Sequence, residues 1–125
     1  MYTVRADVEK NRLYVKLVGF FDNKEMKAAT DATIEGIQKL KPGYDVINDI
    51  SEFKPVGQDT LKEVERGQIY FKKSGIRYGI RIEGKTKLTN LQFNRIGKSV
   101  DYAANSVETM EEAEKLLDAK IAQQK

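Results

Sequence analysis

The chain opens with apolar and polar positions in alternation. Tyr2, Val4, Ala6 and Val8 alternate with polar neighbours, and Leu13, Val15 and Leu17 alternate with Tyr14, Lys16 and Val18. Period-two patterning predicts strands over 2–9 and 12–19. The short polar Lys10-Asn11 between them predicts a hairpin. The period then lengthens. Met26, Ala29, Thr33, Ile37 and Leu40 fall on one helical face, and Asp22 and Glu25 precede them with capping-box spacing. Pro42-Gly43 stops that helix. Residues 44–50 read as a third strand, leading into a loop from Ser51 to Gln58 that contains Pro55 and Gly57.

Thr60 and Glu63 form the next capping pair, and Leu61, Val64 and Phe71 mark the buried stripe of a second helix. Gly67 lies on that stripe, where it would allow close approach to a sheet, and Gly75 suits a left-handed stop. Ile76, Tyr78, Ile80 and Ile82 alternate with Arg77, Gly79, Arg81 and Glu83, which predicts a fourth strand. A short helix over 89–96 carries Leu91 and Ile96 and is closed by Gly97. Val100, Tyr102 and Ala104 predict a fifth strand. Thr109 and Glu112 cap a last helix that turns Met110, Ala113, Leu117 and Ile121 inward.

The resulting order is ββαβαβαβα. Strands that alternate with helices after an initial hairpin predict an α/β fold with a mixed, mostly parallel five-stranded sheet. No repeat, low-complexity tract or linker interrupts the 125 residues, so one domain is expected over 1–125.

Composition narrows the chemistry. The chain has no cysteine and no histidine, which rules out disulfides, thiolate sites, cysteine nucleophiles and His-based triads built from this chain. The expectation is a non-enzymatic protein without a cofactor. Its 22 basic and 19 acidic residues leave a net charge of only +3, which does not call for a nucleic-acid partner. Met1 to Arg5 carries no signal core and no stretch reaches the length of a membrane span, so a cytoplasmic protein with no membrane partner is expected.

Certain segments resemble the STAS domain, the family named for sulfate transporters and anti-sigma-factor antagonists. Leu13 to Asp22 resembles its second strand followed by Gly, two variable residues and Asp, and Asp49-Ile50-Ser51-Glu52-Phe53 resembles its Asp-Leu-Ser-x-Val segment. Ser74-Gly75-Ile76 is similar to the glycine before the fourth strand, and Leu91 to Ser99 is similar to the family's short third helix. The resemblance spans nearly the whole chain. It implies a STAS-like scaffold and a regulatory or protein-interaction role. In the antagonists a partner kinase phosphorylates a serine at the start of the second helix. Ungapped alignment from Asp49 puts Asp59 at that position and Thr60 where the motif has glycine. Asp59 cannot accept a phosphate from a serine kinase, whereas a one-residue shift makes Thr60 the possible phosphorylation site.

The resemblance thus yields a docking surface for a protein partner of unknown class, formed by Ser51, Val56, Gln58, Asp59 and Thr60 on the loop 51–59 and the start of the second helix. The plainer reading of Asp59-Thr60 is a helix start; the sharper one is a fixed charge mimicking a phosphorylated state. An exposed sheet edge also leaves a homodimer open. The alternative to docking is a protein that binds a small apolar, lipid-like ligand in a pocket beneath one helix.

Other features carry less. Asp45, Asp49 and Glu52 lack a spacing that would gather oxygens round a metal. Arg77 and Arg81 share a strand face and would need acidic partners if helices cover it. Gly79 to Thr86 fits the bare pattern G-x-x-x-x-G-K-[ST], but Ile80 and Ile82 continue a strand where a phosphate loop must curl.

Overall fold

A computed structural model describes residues 1–123 of the chain. Strand β1 (Tyr2–Asp7) pairs antiparallel with β2 (Arg12–Gly19). Asn11 closes the turn between them at φ 54°, and its side-chain amide exchanges hydrogen bonds of 2.8 and 3.1 Å with the backbone of Lys41. Helix α1 (Asn23–Ile37) follows, with the Asp22 carboxylate accepting from the Glu25 amide at 2.7 Å. Then come β3 (Asp45–Phe53), α2 (Gln58–Ser74), β4 (Tyr78–Ile82), α3 (Lys87–Ser99), β5 (Asn105–Val107) and α4 (Met110–Gln123).

The strands lie in the order β1-β2-β3-β4-β5, and every pairing after the first is parallel. This is the α/β fold with a mixed sheet that the patterning predicts. Helices α1, α2 and α3 pack together on one face, and α4 covers β4 and β5 on the other. The larger core therefore gathers Leu13, Val15 and Leu17 from β2, Val46 from β3, and Met26, Val64 and Phe71 from the helices. An irregularity between β2 and β3 puts one extra residue into β3, so Ile50 and Phe53, three apart, reach the same core. Phe53 meets Phe21 and Phe93 edge-on, with ring centroids 5.1 and 5.8 Å away. The smaller core places Ala113 and Leu117 of α4 against Ile47, Ile80 and Ile82. Buried Arg12 anchors α4 through Glu114 at 3.0 Å and Asp118 at 3.1 Å.

Several boundaries differ from the expectation, among them the end of β3, which runs to Phe53 and so takes Ser51 to Phe53 out of the expected loop. Helix α2 begins at Gln58, two residues before the capping pair, with Gly57 as its N-cap and no side-chain cap. Thr60 is instead inside the first turn and buried, because its hydroxyl turns across to Asn23 Oδ1 at the start of α1. Helix α3 runs past Gly97 to Ser99, and β5 begins at Asn105, not at Val100. The alternation of Val100, Tyr102 and Ala104 has another cause. Val100 closes the last turn of α3, Asp101 takes φ 57°, and the Tyr102 ring inserts toward Phe71, centroids 5.6 Å apart.

Gly97 lets that loop return. A Cβ there would sit 2.5 Å from the Tyr102 carbonyl oxygen, which is backbone and cannot swing aside. Gly97→Ala gains up to about 1 kcal/mol of helix propensity. Overpacking against fixed backbone costs about 1–3 kcal/mol. The variant should therefore be less stable, read as a lower urea midpoint. Gly67 does not face the sheet; it faces α1, with Thr30 Cγ2 3.7 Å from the place a Cβ would occupy.

Candidate functional site

The residues of the expected docking surface separate in space. Gln58 and Asp59 project from the first turn of α2, and the Asp59 side chain is 78% exposed, with a loose contact of 3.8 Å to Lys62. Val56 is half-buried, its backbone held from both sides by the Gln92 amide of α3 at 3.2 and 2.8 Å. Ser51 lies inside β3, and both its amide and its hydroxyl donate to Asp49 Oδ1. Thr60, buried and bonded to Asn23, does not present a hydroxyl to solvent for phosphorylation.

Ser51 instead lines an open cleft at the carboxyl ends of β2 and β3 with Lys54, Lys85 and Thr86. This brings the docking segment beside the phosphate-loop-like one, but the latter forms no cradle. Gly79 to Ile82 is extended strand, and the Gly84 amide donates to Asn90 Oδ1. Thr86 caps α3 by accepting from the Thr89 amide. The backbone amides of Glu83, Gly84 and Lys85 are thus already engaged. Asp45 and Asp49 are likewise committed, Asp45 to Arg77 and the Tyr78 amide. No acidic cluster suited to a metal occurs among the described residues.

The arrangement with unspent chemistry lies elsewhere, between the sheet and helices α1 to α3. A cavity of about 50 Å³ is lined there mainly by apolar side chains, among them Val15, Leu17, Met26, Val64 and Phe93. Among the polar residues that break the apolar wall are Asn48 of β3, Gln68 of α2, Arg81 of β4 and Tyr102. Asn48 and Arg81 are register partners in adjacent strands, which puts their side chains on the same face. Gln68 continues the stripe of Val64 one turn on.

These groups are incompletely satisfied. Asn48 Oδ1, Gln68 Oε1 and Arg81 Nε are buried without a hydrogen-bond partner. Native proteins leave few such atoms, and three on one cavity call for a physical cause. Arg81 is the costliest. It is 3% exposed, and its guanidinium lies 5.2 Å from the Phe93 ring centroid. Nη1 donates to Asn94 Oδ1 at 2.8 Å, yet no carboxylate pairs with it among the described residues. Burial pulls its pKa down, opposed by the fields of Tyr102 and Glu83. Burial also pushes the Tyr102 hydroxyl up to about 12, so it stays a neutral O–H near pH 7. The one carboxylate on the cavity wall, Glu63, is spoken for by Arg66 at 2.6 and 2.9 Å.

The expectation that both covered arginines would find acids therefore holds for Arg77 and fails for Arg81. Two members of the site, Asn48 and Gln68, do not stand out in the patterning. The available signal is Gln68, the polar member of an otherwise apolar i, i+4, i+7 series with Val64 and Phe71.

No family model matches this chain, and no curated protein matches it. No helix among the described residues is long and apolar enough to cross a membrane.

Proposed function

We propose that this chain is a non-enzymatic binding protein on a STAS-like scaffold, enclosing a small molecule between its sheet and helices α1 to α3. The carrying observation is the cavity itself, apolar for most of its wall and lined by three residues that each keep a buried polar atom without a partner. A void of this kind gives orientation through a few polar groups and area through the rest. The element order supports the scaffold. Binding without turnover is supported by the side chains present: arginine, two amides, a neutral phenol and a paired glutamate, with no histidine or cysteine in the chain. Size limits the occupant. About 50 Å³ is room for a few waters or a small organic molecule. Pockets for drug-sized ligands run to about 300–1,000 Å³. A lipid-like ligand is therefore too large for the cavity in this conformation.

Methyl NMR tests this reading. With the Met26, Val15, Leu17 and Val64 methyls labelled, small organic molecules in titration should shift these signals and leave those of exposed Val8 in place. Cavity methyls that respond to no small molecule, acidic or neutral, would remove the reading.

A second reading, a module that docks a protein partner, is favoured by the exposure of Gln58 and Asp59 beside a loop fixed by Gln92. Asp59→Lys should then weaken partner capture while changing stability by no more than about 0.5 kcal/mol. Recovery of the same partners in equal yield by the variant would count against docking.

A further inference from the structure

We propose that the molecule held in this cavity is a small monocarboxylic acid whose carboxylate is gripped by Arg81; this rests on the reading of the cavity as a ligand site. The other arginines on buried or half-buried positions show what is missing. Arg12 has Glu114 and Asp118, Arg66 has Glu63 and Asp31, and Arg77 has Asp45. Arg81, on the cavity wall, has only the neutral Asn94 and the face of Phe93. A desolvated cation without a counter-charge is expensive, and an anion entering from outside the chain would complete it.

The geometry narrows the anion. Nη1 is held by Asn94, while Nε has no partner and Nη2 makes no hydrogen bond among the described residues. The open edge of the guanidinium is therefore the one formed by Nε and Nη2. Two parallel N–H groups on one edge match the two oxygens of a carboxylate. Asn48 and Gln68 line the same space, and each amide can offer its NH₂ group to the second lone pairs of those oxygens.

Charge and volume set the rest. One cation offsets one negative charge, and Glu63 is neutralised by Arg66, so the wall offers no second positive charge to a dianion. Beyond Arg81 the lining turns apolar, with Val15, Leu17, Met26 and Val64, which suits a short hydrocarbon tail. A carboxylate on a chain of a few carbons fits these conditions better than inorganic phosphate, which is partly a dianion at neutral pH and has no apolar part.

The test compares three probes at neutral pH by the same methyl titration: propionate, propionamide and inorganic phosphate. Propionamide has the shape of propionate without its charge, so the comparison needs no variant. Hydrogen bonds to a charged partner lead us to expect propionate to bind roughly 10–100-fold tighter than propionamide. Phosphate should bind more weakly than propionate. In Arg81→Met, and in Arg81→Gln should the first fail to fold, that preference should disappear. Arg81→Lys, which keeps the charge and loses the two-pronged edge, should retain part of it. Equal binding of acid and amide by the wild type, or tighter binding of phosphate, would overturn the acid and leave the cavity a ligand site. Silence of the cavity methyls toward all three probes, and toward the wider set of neutral molecules, would instead remove the ligand site itself.

Discussion

Arg81→Met should make the ligand-free protein more stable, by about 1–3 kcal/mol in urea denaturation at neutral pH. Arg81 is almost fully buried, and no carboxylate among the described residues repays the loss of its hydration. Methionine fills a similar straight path, has no polar atom to leave unpaired, and puts a sulfur near the Phe93 ring. The substitution costs one neutral hydrogen bond, to Asn94 Oδ1. Asn94 is exposed and can bind water in its place, so that loss is small. The order of stability should then reverse with ligand. Added propionate should raise the wild-type midpoint through binding to the folded state alone and leave the variant's unmoved. A group that weakens the empty fold and strengthens the filled one behaves as a binding residue. A structural arginine would give the opposite first result, a clear loss of stability on substitution.

Arg77→Ala should be the most damaging single change considered, at about 3–5 kcal/mol. Asp45 is fully buried at the first position of β3, where it accepts from Arg77 Nε at 3.0 Å, Arg77 Nη2 at 2.5 Å and the Tyr78 amide at 3.0 Å. Removing the arginine leaves a carboxylate at zero exposure with one backbone amide. Its charge is then buried without a counter-charge. Chemical denaturation of Arg77→Ala at pH 7 checks this. A loss under about 1 kcal/mol at pH 7 would show that water reaches Asp45. The two arginines, four residues apart, thus make opposite predictions, because a carboxylate faces Arg77 and none among the described residues faces the more deeply buried Arg81.

That difference marks the limit of what the sequence reveals. The hairpin at Asn11, the Asp22 cap, the Gly75 stop and the Thr109–Glu112 cap all depend on residues close in the chain, and their patterns are readable there. The failures are long-range. Thr60 has the spacing of a cap, but Asn23, 37 positions earlier, takes its hydroxyl. Tyr102 reads as a strand residue because it is apolar and flanked in alternation, whereas it plugs a gap opened by Gly79 and Gly97. A Cβ at Gly79 would overlap the Tyr102 hydroxyl, a relation no local pattern encodes. The site follows the same rule. The spacing of Arg77 and Arg81 suggests a shared strand face, but Arg77 lies just before β4 and turns to Asp45, the register partner of Arg12 and Tyr78 on the α4 side, while Arg81 faces helices α1 to α3. That β3 offers Asp45 near the first and Asn48 opposite the second depends on the register between strands more than thirty residues apart.

Arginine side-chain NMR gives the most direct check that Arg81 faces a bound acid. The Nε–H signal of Arg81, identified by its loss in Arg81→Met, can be followed with and without saturating propionate. An acid gripped at the Nε edge predicts that this signal moves and that its exchange with water slows, while the Nε–H of Arg77, already bonded to Asp45, stays in place. An Arg81 signal unchanged by propionate, under conditions where the cavity methyls do respond, would contradict it.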